Sequence, residues 1–275
     1  AEVVGIGWAA ASSLPDDAVL NEYDAYLDSL VKTYPYPLFV ASAGNSNLED
    51  GTPCGTAPNW GYVQNHLLSG LVVGGIDESS TERREDDTFY YCSSWKIPQS
   101  PHGDRELPHL VAPAANVQAA GAGPSDGTSM AAGIVAGVAA LVRDGNPSLR
   151  FWPEPLRAIL LVSGSGDVDR NFGFDCPSES TGCGRDGTGT VWAPEAVAVG
   201  SGENRIYGSP GEPARERGHD FGTMVFGTDF PNGFFHRGGQ PVQWKFVVAP
   251  GATVRVALTW DSTAVVGPRF QDLID

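Results

Sequence analysis

The run Gly127-Thr128-Ser129-Met130-Ala131-Ala132, continuing through Gly133-Ile134-Val135-Ala136-Gly137, holds the residues best placed to do chemistry. A serine between a glycine turn and a helix of small residues stands at that helix's N-terminus. Free N–H groups and the helix dipole favour negative charge there. A nucleophilic hydroxyl gains from the location, because its own backbone N–H can hold a developing oxyanion. The same pattern also suits a plain Ser or Thr N-cap on a buried helix, and caps far outnumber nucleophiles.

The elements that must position this serine are legible in the hydrophobic pattern. Val3-Val4-Gly5-Ile6 reads as a strand. Residues 16–33 carry Val19, Leu20, Tyr23, Leu27, Leu30 and Val31 at helical spacing. Leu38-Phe39-Val40-Ala41, Leu71-Val72-Val73 and Leu110-Val111-Ala112 are apolar on both faces, as in a parallel sheet covered by helices. The stretch 131–142 reads as a buried helix, and residues 155–162 as another with Pro at its start. An open α/β pattern is expected. Near residue 200 the character changes, with Gly-, Pro- and Arg-rich sequence over 200–218 that reads as a linker. Residues 242–247 and 253–260 then alternate around the turn Ala249-Pro250-Gly251-Ala252, which predicts a β-hairpin. One hairpin is not a stable domain, so the rest of a β-sandwich is expected beyond it.

The 275 residues include 17 Lys and Arg against 33 Asp and Glu, a formal charge of -16. That balance argues against nucleic acid, since phosphate binding needs clustered cations. No apolar run approaches the ~20 residues that cross a bilayer, so a soluble, globular chain without a membrane partner is expected. With 35 Gly and 21 Pro, loops must be abundant. No dense Asp loop of the EF-hand kind is present, and no metal ligands are assigned. The four cysteines form no Cys-x-x-Cys pair. Cys176 with Cys183, and Cys54 with Cys92, read as two disulfides; four buried thiols is the alternative. Disulfides would place the protein in an oxidising compartment, secreted or extracellular.

Taken together, Gly-Thr-Ser-Met-Ala-Ala-x-x-Val-Ala-Gly over residues 127–137 resembles the nucleophile signature of the subtilisin-like serine proteases, with Gly133 where most of that family has Pro. Val40-Ala41-Ser42-Ala43-Gly44-Asn45 is similar to the family's oxyanion segment. Asn45, an amide rather than an acid, favours this branch over the sedolisins. An α/β-hydrolase would require Gly-x-Ser-x-Gly, and Ala131 stands at the last position. The resemblance implies Ser129 as nucleophile and Asn45 as oxyanion donor. It implies substrate binding along Gly7, Trp8 and Ala9, and at Ala43 and Gly44, with main-chain pairing to a peptide. Trp8 would stand at a pocket rim or pack under a loop. Leu71-Val72-Val73-Gly74-Gly75, His109-Leu110-Val111-Ala112-Pro113 and the closing 186–197 stretch resemble further segments in the same order.

The resemblance covers roughly residues 1–200 and implies part of a three-layer α/β subtilisin-like catalytic domain with a parallel sheet, followed over 201–275 by a linker and the beginning of a β-sandwich. The family order places an Asp and a His before the oxyanion Asn. The histidines here are His66, His102, His109, His219 and His236, all after Asn45. The chain therefore reads as a piece of a longer serine endopeptidase, inert alone and completed by the N-terminal remainder of the same protein. A non-catalytic binding protein on the same scaffold is the competing reading. Peptide or protein is the implied partner. The family admits calcium as a cofactor, for which the sequence names no ligand.

Overall fold

The computed structural model describes residues 3–8, 22–45, 54, 61–79, 81, 86–95, 107–164, 185–201, 218–219, 247–252 and 254–260. Strands β1 (Val3–Ile6), β2 (Leu38–Ser42), β3 (Leu71–Asp77) and β5 (Leu110–Pro113) run parallel, and β4 (Thr88–Phe89) runs antiparallel to β3. The sheet is therefore mixed and mostly parallel, which corrects the all-parallel expectation. Pairing β2 stops at Ser42↔Val73, and β4 takes up Ile76 and Asp77 on the side β2 has left, since β5 occupies the other side. A strand of two residues has no periodicity to reveal it beforehand.

The strands are apolar on both faces because helices cover both. Leu38, Val40, Leu71, Val73, Leu110 and Ala112 face α2 (Thr128–Gly145), α3 (Pro153–Val162) and α4 (Ala193–Ser201). Phe39, Ala41 and Val72 face the other way, towards Leu27 and Val31 of α1 (Glu22–Val31). The start expected for that helix, at residue 16, lies outside the described residues. Successive side chains of β2 thus enter two separate cores. α3 begins at Pro153, whose missing N–H costs nothing in a first turn.

α2 buries one face, through Ala131, Ala132, Val135, Val138, Ala139 and Val142. Gly133 and Gly137 lie on its exposed face, where an added Cβ would meet nothing within 4 Å. Gly133→Ala and Gly137→Ala are each expected to stabilise the fold by about 0.8–1 kcal/mol, read as a rise in the thermal midpoint. A fall would mean that the glycines serve a purpose beyond the helix.

α1 buries two carboxylates that amphipathic patterning does not anticipate. Asp24 Oδ1 accepts from His66 N–H at 3.3 Å, and Asp28 accepts from Leu68 N–H at 2.9 Å and Ser69 N–H at 2.8 Å. These charge-assisted bonds satisfy the loop that leads into β3. Cys54 and Cys92 form a disulfide, as expected; Cys176 and Cys183 lie outside the described residues. The bridge spans 38 positions. Replacing both of its cysteines by Ser should cost about 2–4 kcal/mol, measured by urea unfolding of the oxidised protein against the double variant.

The turn of the expected C-terminal hairpin is present: Ala252 N–H donates to Ala249 O at 3.0 Å, and Gly251 takes φ +82°. Residues 254–260, however, form no strand, and the opposing arm 242–246 lies outside the described residues. Among the described residues no backbone completes a ladder with it, and the segment touches α3 through Thr259 Oγ1, which donates to Glu154 O at 2.5 Å. Among the described residues, no helix is long and apolar enough to cross a membrane.

Candidate active site

Ser129 is the second residue of α2 and is not its cap. The N-cap is Gly127, which makes no side-chain cap bond. The first free N–H of the helix, that of Thr128, donates at 2.9 Å to Asn45 Oδ1, from a segment 83 positions upstream. Thr128 Oγ1 completes the junction: it accepts from Gly44 N–H at 3.1 Å and lies 3.1 Å from Asn45 Oδ1 and 3.2 Å from Gly44 O, between which it shares one proton. One threonine therefore ties the end of β2 to the start of α2.

This junction fixes the Asn45 carboxamide. With Oδ1 committed to Thr128, Nδ2 is left without a partner among the described residues, as is the Ser129 N–H of the first helical turn. Gly127 makes the approach possible. Its φ of +130° is open to glycine, and a Cβ there would come within 3.1 Å of Asn45 Nδ2.

The Ser129 hydroxyl donates to Gly7 O at 2.5 Å, just beyond the end of β1. Gly7 has room for no side chain without crowding, since a Cβ would stand 3.3 Å from Ser129 Cβ. The next residue, Trp8, is 59 % exposed and stacks on Tyr23 of α1 with ring centroids 4.8 Å apart. Its indole is largely open to solvent, one residue on from the glycine that the serine bonds. Ala43 and Gly44 are buried behind Asn45; Ala9 lies outside the described residues. The fold thus brings Ser129, Asn45, Gly7, Trp8, Ala43 and Gly44 to one end of the sheet, at the C-terminal edges of β1 and β2.

The histidines that are described serve elsewhere. His66 is buried, with Nε2 2.8 Å from Val63 O and Nδ1 3.5 Å from Asp24 Oδ2. His109 Nδ1 accepts from Val72 N–H at 2.9 Å, and His219 Nδ1 lies 3.0 Å from Val199 O. Among the described residues no imidazole bonds Ser129. His102 and His236 lie outside them.

One carboxylate, Asp126, lies on the approach to α2. The small hairpin of β6 (Val117–Gln118) and β7 (Pro124–Ser125) is closed by Asp126 Oδ1, which accepts from Asn116 N–H at 2.5 Å. Burial, the neighbouring Tyr91, and the Asp126 and Asp77 carboxylates push the Tyr90 phenol up to about 12, so it stays neutral. Burial, and then Asp24, also raise Tyr23. Among the described residues no cluster of His, Cys, Asp or Glu could hold a metal ion.

Asn65 enters the site without any sequence signal. β1 and β2 pair as far as Ile6↔Ala41 and then part, while β2 stays with β3 through Ala43 N–H to Val73 O at 2.8 Å. Across the split, Asn65 Nδ2 donates to Trp8 O at 3.2 Å and Ser42 O at 2.8 Å. Its Oδ1 is buried without a partner among the described residues. Two neutral hydrogen bonds net about 0.5–1.5 kcal/mol each, and an unmet buried acceptor costs about 1–3 kcal/mol, so the residue adds little to stability.

No curated protein matches the chain. Among solved structures, the patellamide maturation protease PatA is similar at 23% identity and a TM-score of 0.47, over 74% of this chain and 64% of that one. The prenylagaramide maturation protease PagA is similar at 20% identity and 0.46, over 72% and 62%. Proteases from Pseudoalteromonas arctica reach 20% identity and 0.43, over 73% and 52%. The chain thus spans less than two-thirds of each. The Subtilase family (peptidase S8) matches residues 10–175, more than half of the sequence and including both the Asn45 segment and the Ser129 run, and on that match the chain belongs to the subtilase family of serine peptidases.

Proposed function

We propose that this chain is the C-terminal part of a subtilisin-like serine endopeptidase domain, cleaving peptide bonds through an acyl-enzyme in the full-length protein. Ser129 attacks the scissile carbonyl. Asn45 Nδ2 and the Ser129 N–H hold the oxyanion, and an upstream His, oriented by an upstream Asp, moves the proton. One observation carries the reading. Asn45 is clamped by its Oδ1 to Thr128, and among the described residues its amide donor and the Ser129 N–H are both unengaged beside a hydroxyl that caps nothing. What supports the oxyanion role is that both donors stand beside the one hydroxyl, at the N-terminus of α2 where negative charge is favoured.

Residues 1–200 are read as the partial three-layer catalytic domain, with Gly7, Trp8, Ala9, Ala43 and Gly44 along the substrate. Residues 201–275 are read as a linker and the start of a β-sandwich. The exposed apolar side chains Val254, Val256, Leu258 and Trp260, alternating in sequence, support this, being what a facing sheet would cover. The Cys54–Cys92 bridge supports secretion, and a Cys176–Cys183 bridge is part of the same reading.

Treatment of the full-length protein with a fluorophosphonate tests the assignment. The adduct is expected on Ser129, within the tryptic peptide 106–143. A folded protein, free of any pro-segment, that takes no label would sink the catalytic reading in favour of a non-catalytic binding scaffold.

A further inference from the structure

We propose that Asn65 is a positioning residue for the Ser129 site, one that sets the spacing between the backbone segments on either side of the substrate side chain next to the scissile bond. The proposal rests on the serine-endopeptidase reading above. Its basis is the split in the sheet. Beyond Ile6↔Ala41 the two strands no longer bond to each other, and the carbonyls of Trp8 and Ser42 face a gap. A single carboxamide spans that gap, using both hydrogens of Nδ2.

Each carbonyl lies close in sequence to an atom of the site. Trp8 follows Gly7, whose carbonyl accepts from the Ser129 hydroxyl, and Ser42 begins the three-residue approach to Asn45. The loop that carries Asn65 is held on both flanks. Gln64 N–H donates to Ala43 O at 2.8 Å, and Asp24 and Asp28 of α1 accept from residues 66, 68 and 69. Asn65 is therefore mounted rigidly between α1 and the two strand ends, and displacement of one end is transmitted to the other. Among the described residues the buried Oδ1 has no partner, so the two donor bonds are what orient the amide there.

The discriminating variants are Asn65→Leu, which has similar bulk and no donors, and Asn65→Ser, which keeps a single donor. In the full-length protein, two peptide substrates would be compared that differ only in Ala or Phe immediately before the scissile bond. Asn65→Leu is expected to shift the ratio of their kcat/KM values by about tenfold, with Asn65→Ser in between, because selectivity of this kind reflects pocket width. The rate of fluorophosphonate labelling at Ser129, which needs no side chain in that gap, should fall by less than kcat/KM on the more affected substrate.

Equal losses on both substrates with an unchanged ratio, or labelling that falls in step with turnover, would overturn the proposal and leave Asn65 a structural residue. Should Asn65→Leu fail to fold, the ratio measured with Asn65→Ser decides alone. Wild-type protein that takes no label removes the endopeptidase reading and this proposal with it. Normal wild-type labelling with an unchanged ratio removes this proposal only.

Discussion

Ser129→Ala in the full-length protein is expected to lower kcat by about 10⁴- to 10⁶-fold, the loss typical when the nucleophile of a serine–histidine unit is removed. Stability should move by no more than about 1 kcal/mol, since the hydroxyl has one partner, Gly7 O, in a half-open site. The contrast between the two readouts is the informative part. A serine that served the helix would show the reverse, with a measurable loss of stability and no kinetic effect. It is not the N-cap, and its hydroxyl bonds a carbonyl from β1's extension instead of a helical N–H. Steady-state turnover of a peptide substrate beside urea unfolding of both proteins supplies the comparison.

The second large effect is expected at Asn45, where the structure allows two roles of one side chain to be separated. Asn45→Asp keeps an oxygen for the Thr128 N–H and places a negative charge near the N-terminus of α2, where the dipole favours it. Stability should hold or rise. Turnover should nevertheless fall by about 10²- to 10³-fold or more, with KM little changed, because Nδ2 is lost and a charge now opposes the developing oxyanion. Asn45→Ala loses the donor and the acceptor together. It should show a similar kinetic defect and, in addition, a stability loss of about 0.5–2 kcal/mol, as for a deleted helix cap. If Asn45→Asp turned over substrate as the wild type does, Nδ2 would not be an oxyanion donor, and Asn45 would be a cap supplied from a distance.

The sequence alone determined what depends on local pattern. β1, β2, β5 and the first half of β3 are short apolar runs of strand length, and α2 and α3 are marked by a run of small residues and by proline at the start. The Ser129 run and Asn45 were singled out by their resemblance to family segments written in contiguous residues, where residue chemistry alone also allowed a helix cap and a turn. The Cys54–Cys92 pairing could be proposed from spacing, since few partners were available. The expected hairpin of 242–260 shows the limit of the same method. Alternation and a Pro-Gly turn specify a strand-compatible segment, but a strand exists only when another backbone meets it, and over 254–260 none of the described residues does.

Only the tertiary structure decided which polar groups complete one another across the chain. Residue type does not announce that Thr128 and Asn45, 83 positions apart, satisfy each other's hydrogen bonds and so orient an amide. Neither does it announce that Asp24 and Asp28 turn inward to receive loop N–H groups, or that Asn65 spans a split between two strands. Each of these bonds forms because burial removes water from groups that must then find a partner, and the partner is whichever group the packing of the sheet brings within about 3 Å. Hydrophobic periodicity encodes the packing. The pairing that follows from it, on which the geometry around Ser129 depends, exists only once the chain has folded.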